Sequence, residues 1–217
     1  MIRRTVSATS ELDRTMPDEV LFDAVEMMER LMGTEDVAIY NVVNGDYARM
    51  FSASSKKARE LGNSIRYKEM SVMYDALKEH RVFINKSLDP QYPLMANAIF
   101  ENEEMQMIVM LWGLSWERMT LGQANMLVVV SALIQNAVLS ARRYLQALEE
   151  KRYIEGSRIL DQEAFSSLVT AYYHAKERNL VECVLLHLQL PENTYKTQGD
   201  KVSCLVRNSD YLGILDG

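Results

Sequence analysis

Arg207 and Asp210, spaced Arg-x-x-Asp within LVRNSDYLGILDG (205–217), combine two groups that recognise polar ligands in different ways. A guanidinium presents a planar fork of donors suited to a phosphate or a base edge, and a carboxylate accepts from N–H groups. Asp216-Gly217 follows six residues after Asp210. The same pair also reads as a surface ion pair in a loop before a strand, the commoner meaning of such a spacing. Spacing by itself leaves both readings open.

The rest of the chain offers little catalytic material. His80 and Arg81 close a helical pattern, where positive groups complement the dipole, and His174 lies among Tyr172, Tyr173 and Lys176. Local motifs yield no Ser, His and Asp trio and no Walker-type glycine-rich loop. Met105, Met107 and Met110, among 14 methionines, read as core filler before they read as the lining of a ligand cavity. Trp112 and Trp116 read as packing residues. Cys183 and Cys204 lie in apolar runs and are expected as buried, reduced thiols rather than a disulfide or zinc framework.

A formal charge of -6 over 217 residues argues against a general nucleic-acid binder, which needs a basic face for phosphates. No signal-peptide pattern follows the first arginines, and the longest apolar stretch (126–134) is about half of a membrane span. A soluble, cytoplasmic chain is expected.

Elements follow from periodicity. Pro17 with Asp18 and Glu19 starts a helix whose apolar positions run from Val20 to Met32, ending at Gly33. Residues 36–54 read as two strands around Asn44-Gly45-Asp46. An amphipathic helix at 67–81, a short strand at 82–87 and a hairpin over 93–115 follow. From Thr120 a helical pattern continues to Tyr153 or Gly156, about 50 Å at 1.5 Å per residue. Its stripe of Leu127, Val130, Ile134, Ala137, Ala141, Leu145 and Leu148 suits a parallel pair with a second copy or a four-helix cluster with residues 18–32, giving a dimer. Residues 158–180 read as a loop and helix, 181–190 as a buried central strand, and 201–217 as a return toward a last strand.

The order helix, hairpin, helix, strand, hairpin, long helix gives an antiparallel sheet with helices on one side. It resembles a GAF domain over about residues 17–150, with 1–16 as a flexible N-terminal segment. Residues 151–217 resemble the first part of a GGDEF domain, the diguanylate cyclase fold, in degenerate and incomplete form. ILDQEAF (159–165) stands where that family has Leu-Pro-Asn-x-x-x-Phe, with Asp161 for the Asn and Phe165 for the Phe. VLLHLQL (184–190) stands on its first strand, and RNSDYLGILDG matches its Arg-x-x-Asp and the start of its signature, at Asp216 and Gly217. The fold class expected is thus α+β with an α/β remnant, the two parts joined by a long helix.

The GGDEF resemblance implies a dead cyclase. The family's strand acids hold the divalent cation, and His187 and Gln189 stand in their places, so neither a metal site nor catalysis is expected. It also implies that Arg207 and Asp210 are the surviving product-inhibition site for cyclic di-GMP (c-di-GMP). A GAF domain followed by such a remnant is similar to the PelD-like receptors of Pel-type exopolysaccharide secretion. The resemblance implies a non-catalytic c-di-GMP receptor acting in biofilm formation, without cofactor. Its expected partners are a second copy in a homodimer and exopolysaccharide synthesis and secretion proteins, with membrane anchoring only through a segment outside this sequence. The alternative is a GAF-based small-ligand sensor or dimerisation module with an inert GGDEF remnant.

Overall fold

The computed structural model describes residues 16–147, 152–155, 157–189, 201–207 and 210–215. Six strands, β1 (Val37–Val43), β2 (Tyr47–Ala53), β3 (Ser64–Ile65), β4 (Phe83–Ile84), β5 (Met95–Glu101) and β6 (Glu104–Leu111), form one sheet in the order β3-β2-β1-β6-β5-β4. Every pairing is antiparallel, and the two expected hairpins are β1–β2 and β5–β6. Glu101 faces Glu104 across a two-residue turn, with Asn102 at φ 50° and Glu103 at φ 64°. Two left-handed residues match the twist of the strands they join.

The helices are α1 (Pro17–Met32), α2 (Ser71–Lys78), α3 (Leu121–Ala147) and α4 (Gln162–Glu177). Strand alternation serves two cores. Val37, Ile39, Met107, Val109 and Leu111 face α1 and α3, while Ala38, Tyr40, Ile108, Met110 and Trp112 face α2. Helices therefore cover both faces, where the sequence suggested one. That explains why β6 is apolar at nearly every position. The methionines fill core: Met107 lies in one cluster and Met110 in the other, both buried.

α1 starts at Pro17, whose missing N–H costs nothing at a helix start, with Asp18 and Glu19 in its first turn. It ends at Gly33, whose left-handed φ of 65° returns its N–H to Glu29. Arg118 and Gln123 both donate to the Met32 carbonyl, and a Cβ on Gly33 would lie 1.4 Å from the Arg118 guanidinium. The left-handed backbone is what requires Gly33, since the Arg118 side chain end could shift aside.

α3 buries Leu127, Val130, Ile134, Val138 and Ala141 against α1 and the sheet. The stripe thus packs against α1 of the same chain, the 18–32 segment that the four-helix arrangement invokes. Val128 and Val129, on the other side, are exposed. The helix has ended by Tyr153, which forms an isolated bridge with Leu160; residues 148–151 lie outside the described ones. α3 is long and apolar enough to cross a membrane, with a mean hydropathy of 1.6 over its most apolar window, a test that a helix packed in a protein core also passes.

Beyond α3 the sequence expectations meet a different arrangement. Ala175 and Leu180 are buried in the same core as α1, and Tyr172 meets Phe22 edge-on at 5.3 Å. Residues 181–189 form no strand: Val184, Leu185, Leu186 and Leu188 are 55–84% exposed. A central strand needs a neighbour on each edge, and none of the described segments lies beside this run. Its apolar composition specifies a need for partners, which the local chain does not supply. Cys204 is exposed and Cys183 half-buried, so the expected buried thiols are not found. Residues 1–15, expected to be flexible, lie outside the described residues, whereas Met16 packs beside Leu160, Phe165 and Leu168.

Candidate ligand site around Arg207 and Asp210

The segment carrying the Arg-x-x-Asp pair is built on α4. Asp161, which takes the Asn place in the motif 159–165, caps α4 by accepting the Ala164 N–H at 2.7 Å. Phe165, one turn on, is buried with Leu160 and Leu168. Gly213 lies on that ring: a Cβ there would be 2.1 Å from the Phe165 side chain. The close approach lets the main chain of 212–214 pair with Leu160, whose N–H donates to Leu212 O (2.8 Å) and whose carbonyl accepts from Ile214 (3.2 Å). These bonds form one parallel bridge, Leu160 to Gly213, in place of the expected last strand.

A helical turn at 201–203 leads into Arg207. Arg207 and Asp210 are both exposed and close a turn on each other through the main chain. The Asp210 N–H donates to Arg207 O, and the Asp210 carboxylate accepts the Arg207 N–H, each at 3.0 Å. The two side chains form no ion pair with each other. A guanidinium offers a planar fork of donors, and a carboxylate with four lone-pair sites retains acceptor capacity after one main-chain bond.

Tyr211, the next residue, ties the turn to α1. Its hydroxyl donates to Asp18 Oδ2 at 2.8 Å, and Tyr172 of α4 donates to the same oxygen at 2.8 Å. Burial of the Asp18 carboxyl raises its pKa above the usual carboxylate value, against the two tyrosine hydrogen bonds and the Arg142 charge. Burial also holds both hydroxyls well above the ordinary phenol range, the Asp18 charge adding to it.

His187 and Gln189 are exposed on the unpaired run, away from any strand. Among the described residues no group of three His, Cys, Asp or Glu side chains is arranged to hold a metal. Asp216 and Gly217 lie outside the described residues. A recess lined by Phe100, Gln135 and Arg142 among others measures about 10 Å³, room for a water rather than an organic ligand.

Sequence reasoning missed Asp18, Tyr172 and Tyr211 as one cluster. Asp18 was legible only as a first-turn acid, and no local spacing links residues 154 and 193 positions apart.

No protein-family model matches the sequence, and no curated protein matches it. Among solved structures, residues 122 to 287 of a methyl-accepting chemotaxis protein resemble the chain with a TM-score of 0.51 at 12% identity, over 64% of this chain and 98% of that one. The likeness concerns the fold alone: an antiparallel six-stranded α+β architecture, consistent with a GAF-like fold.

Proposed function

We propose that the protein is a non-catalytic c-di-GMP receptor. Arg207 donates its fork to a guanine edge or phosphate of the dinucleotide, and Asp210 accepts from guanine N–H groups. Binding biases a conformation read by Pel-type exopolysaccharide synthesis and secretion proteins, and so controls biofilm formation. The observation that supports the reading is the Arg207–Asp210 turn, closed on the Arg207 main chain by the Asp210 N–H and carboxylate, with both residues exposed. Residues 151–217 are read as a degenerate GGDEF remnant, with His187 and Gln189 lacking the hard anionic oxygens that magnesium requires. The receptor acts as a homodimer.

A calorimetric titration of the full chain with c-di-GMP tests this, beside Arg207→Ala and with circular dichroism as the folding control. Wild type should bind, and Arg207→Ala should bind at least tenfold more weakly, since a charge-assisted contact is worth about 1.5–3 kcal/mol. GTP with magnesium should yield no cyclic dinucleotide. A folded wild type that binds no c-di-GMP overturns the reading.

One observation favours the alternative, a GAF-based sensor or dimerisation module with an inert remnant. Ala175 and Leu180 are buried in the α1 core, so residues after α3 complete the sheet unit as well as carry the turn. That reading has the same fold and no response to c-di-GMP.

A further inference from the structure

We infer that Asp18, Tyr172 and Tyr211 form a latch through which occupancy of the Arg207–Asp210 turn is transmitted to α1; this rests on the c-di-GMP reading and names its regulation. Three facts carry it. Tyr211 follows Asp210 directly, and its hydroxyl reaches Asp18 in the first turn of α1. The same Asp18 oxygen accepts from Tyr172 on α4, and the two rings meet edge-on at 6.1 Å. Beyond Tyr211 the strap is fixed again by Leu160 and by the seat of Gly213 on Phe165.

Only Tyr211 and Leu212 therefore separate the ligand-binding turn from a fixed point, a reach of about 7 Å when extended. A turn held on so short a strap cannot rearrange around a dinucleotide without moving or tightening Tyr211. The far end of the latch is mechanically connected. α1 is packed along its length against α3 and the sheet, so a shift at Asp18 acts on the helix pair at the centre of the molecule. A closed latch holds Asp210 in place before ligand arrives and so favours binding. Linkage is reciprocal: whatever factor the latch contributes to affinity, the ligand returns to latch closure.

The test uses the full-length chain as wild type, Tyr211→Phe, which keeps the ring contact and loses only the hydroxyl, and Asp18→Asn, which keeps one neutral acceptor. c-di-GMP is titrated into each, and hydrogen exchange is followed at residues 20–24 and 211–215 with and without it. Val20 is a suitable reporter because its N–H is bonded to Met16 O in the first turn. Tyr211→Phe should lower affinity about three- to tenfold, as loss of one hydrogen bond of ordinary strength does, with Asp18→Asn between wild type and Tyr211→Phe. In wild type, ligand should slow exchange at 20–24; in Tyr211→Phe it should not. Equal affinities with equal protection of α1 in wild type and Tyr211→Phe overturn the transmission. A folded wild type that binds no c-di-GMP overturns the receptor reading and the transmission with it. Exchange at 211–215 that is unchanged by either substitution in ligand-free protein overturns the latch independently of any ligand.

Discussion

The carbonyl of Leu180 accepts the main-chain N–H of Ala53 at 3.1 Å, joining the chain beyond α4 to the end of β2. The Ser52 hydroxyl donates to the same oxygen at 2.9 Å, and Arg59 bridges the carbonyls of Ala53 and Asn179. Residues 128 positions apart in sequence thus share one set of hydrogen bonds. Arg178, paired with Asp23 and Glu26 on α1, adds a partly exposed link of small worth.

This joint makes α4 part of the stability of the sheet unit. Ala175 is fully buried in the core of α1 and the sheet. Ala175→Glu would put an unpaired carboxylate there, at a cost of about 3 kcal/mol or more. The urea midpoint of the whole chain should fall in a single transition. A sheet-unit transition left unchanged, with only a second one shifted, would mean that α4 belongs to a separately folding unit.

The proposed homodimer has a different seam from the one the heptad-like stripe suggests. Ile134 and Ala141 are buried within the chain, so Ile134→Glu should unfold the protein rather than dissociate it. Val128 and Val129, 44% and 47% exposed, lie with Leu121 and Tyr144 among the α3 positions open to a second copy. Val128→Glu should keep the circular dichroism spectrum and the thermal midpoint while converting dimer to monomer in light scattering at tens of micromolar. A wild type that is already monomeric there removes the homodimer.

What was legible in the sequence was periodic and local. The α1 boundaries, the two hairpins and the start of α3 follow from Pro17, Gly33, the Asn44-Gly45-Asp46 turn, the polar break at Glu101-Asn102-Glu103 and the helical period after Thr120. The same logic failed over 181–190, because an apolar run states which surroundings it requires and not whether they exist. It left the partner of the α3 stripe open. Leu127, Val130 and Ile134 form a proper seam, but the pattern does not say whether α1 of the same chain or a second α3 fills it. The Arg207–Asp210 pair was found from spacing. Its tie to Asp18 depends on tertiary folding and left no local trace.

The two members of the turn should differ in what they recognise. Arg207→Lys keeps the charge and loses the planar fork, so it should restore little of the affinity lost in Arg207→Ala. Asp210→Ala removes the proposed acceptor for guanine N–H groups and also the carboxylate that closes the turn on the Arg207 N–H. It should weaken c-di-GMP binding and narrow the preference for guanine over adenine dinucleotides, read by parallel titrations with c-di-GMP and cyclic di-AMP. Full selectivity retained in Asp210→Ala would take the carboxylate out of base recognition.

Asp18 gives the latch a pH signature whose sign is fixed by its surroundings. Burial raises the carboxyl above its ordinary value of 3.8, and the hydrogen bonds from Tyr211 and Tyr172 and the charge of Arg142 offset only part of that. Below about pH 3.8 the group is protonated in folded and unfolded chains alike, and its burial carries no charge penalty. As pH rises through the elevated folded value, the unfolded chain releases its proton first, and the folded state must either hold a proton or bury a charge. Stability contributed by Asp18 is therefore greatest at acid pH and is lost as pH rises through that window. Asp18→Asn removes the titration and keeps the shape, so subtracting its urea midpoint from that of wild type cancels the other carboxylates. The wild-type advantage should be larger at pH 4 than at pH 7. A difference that is flat across this range, or that grows toward neutral pH, would show that Asp18 is held ionised and that the two tyrosine bonds outweigh its burial.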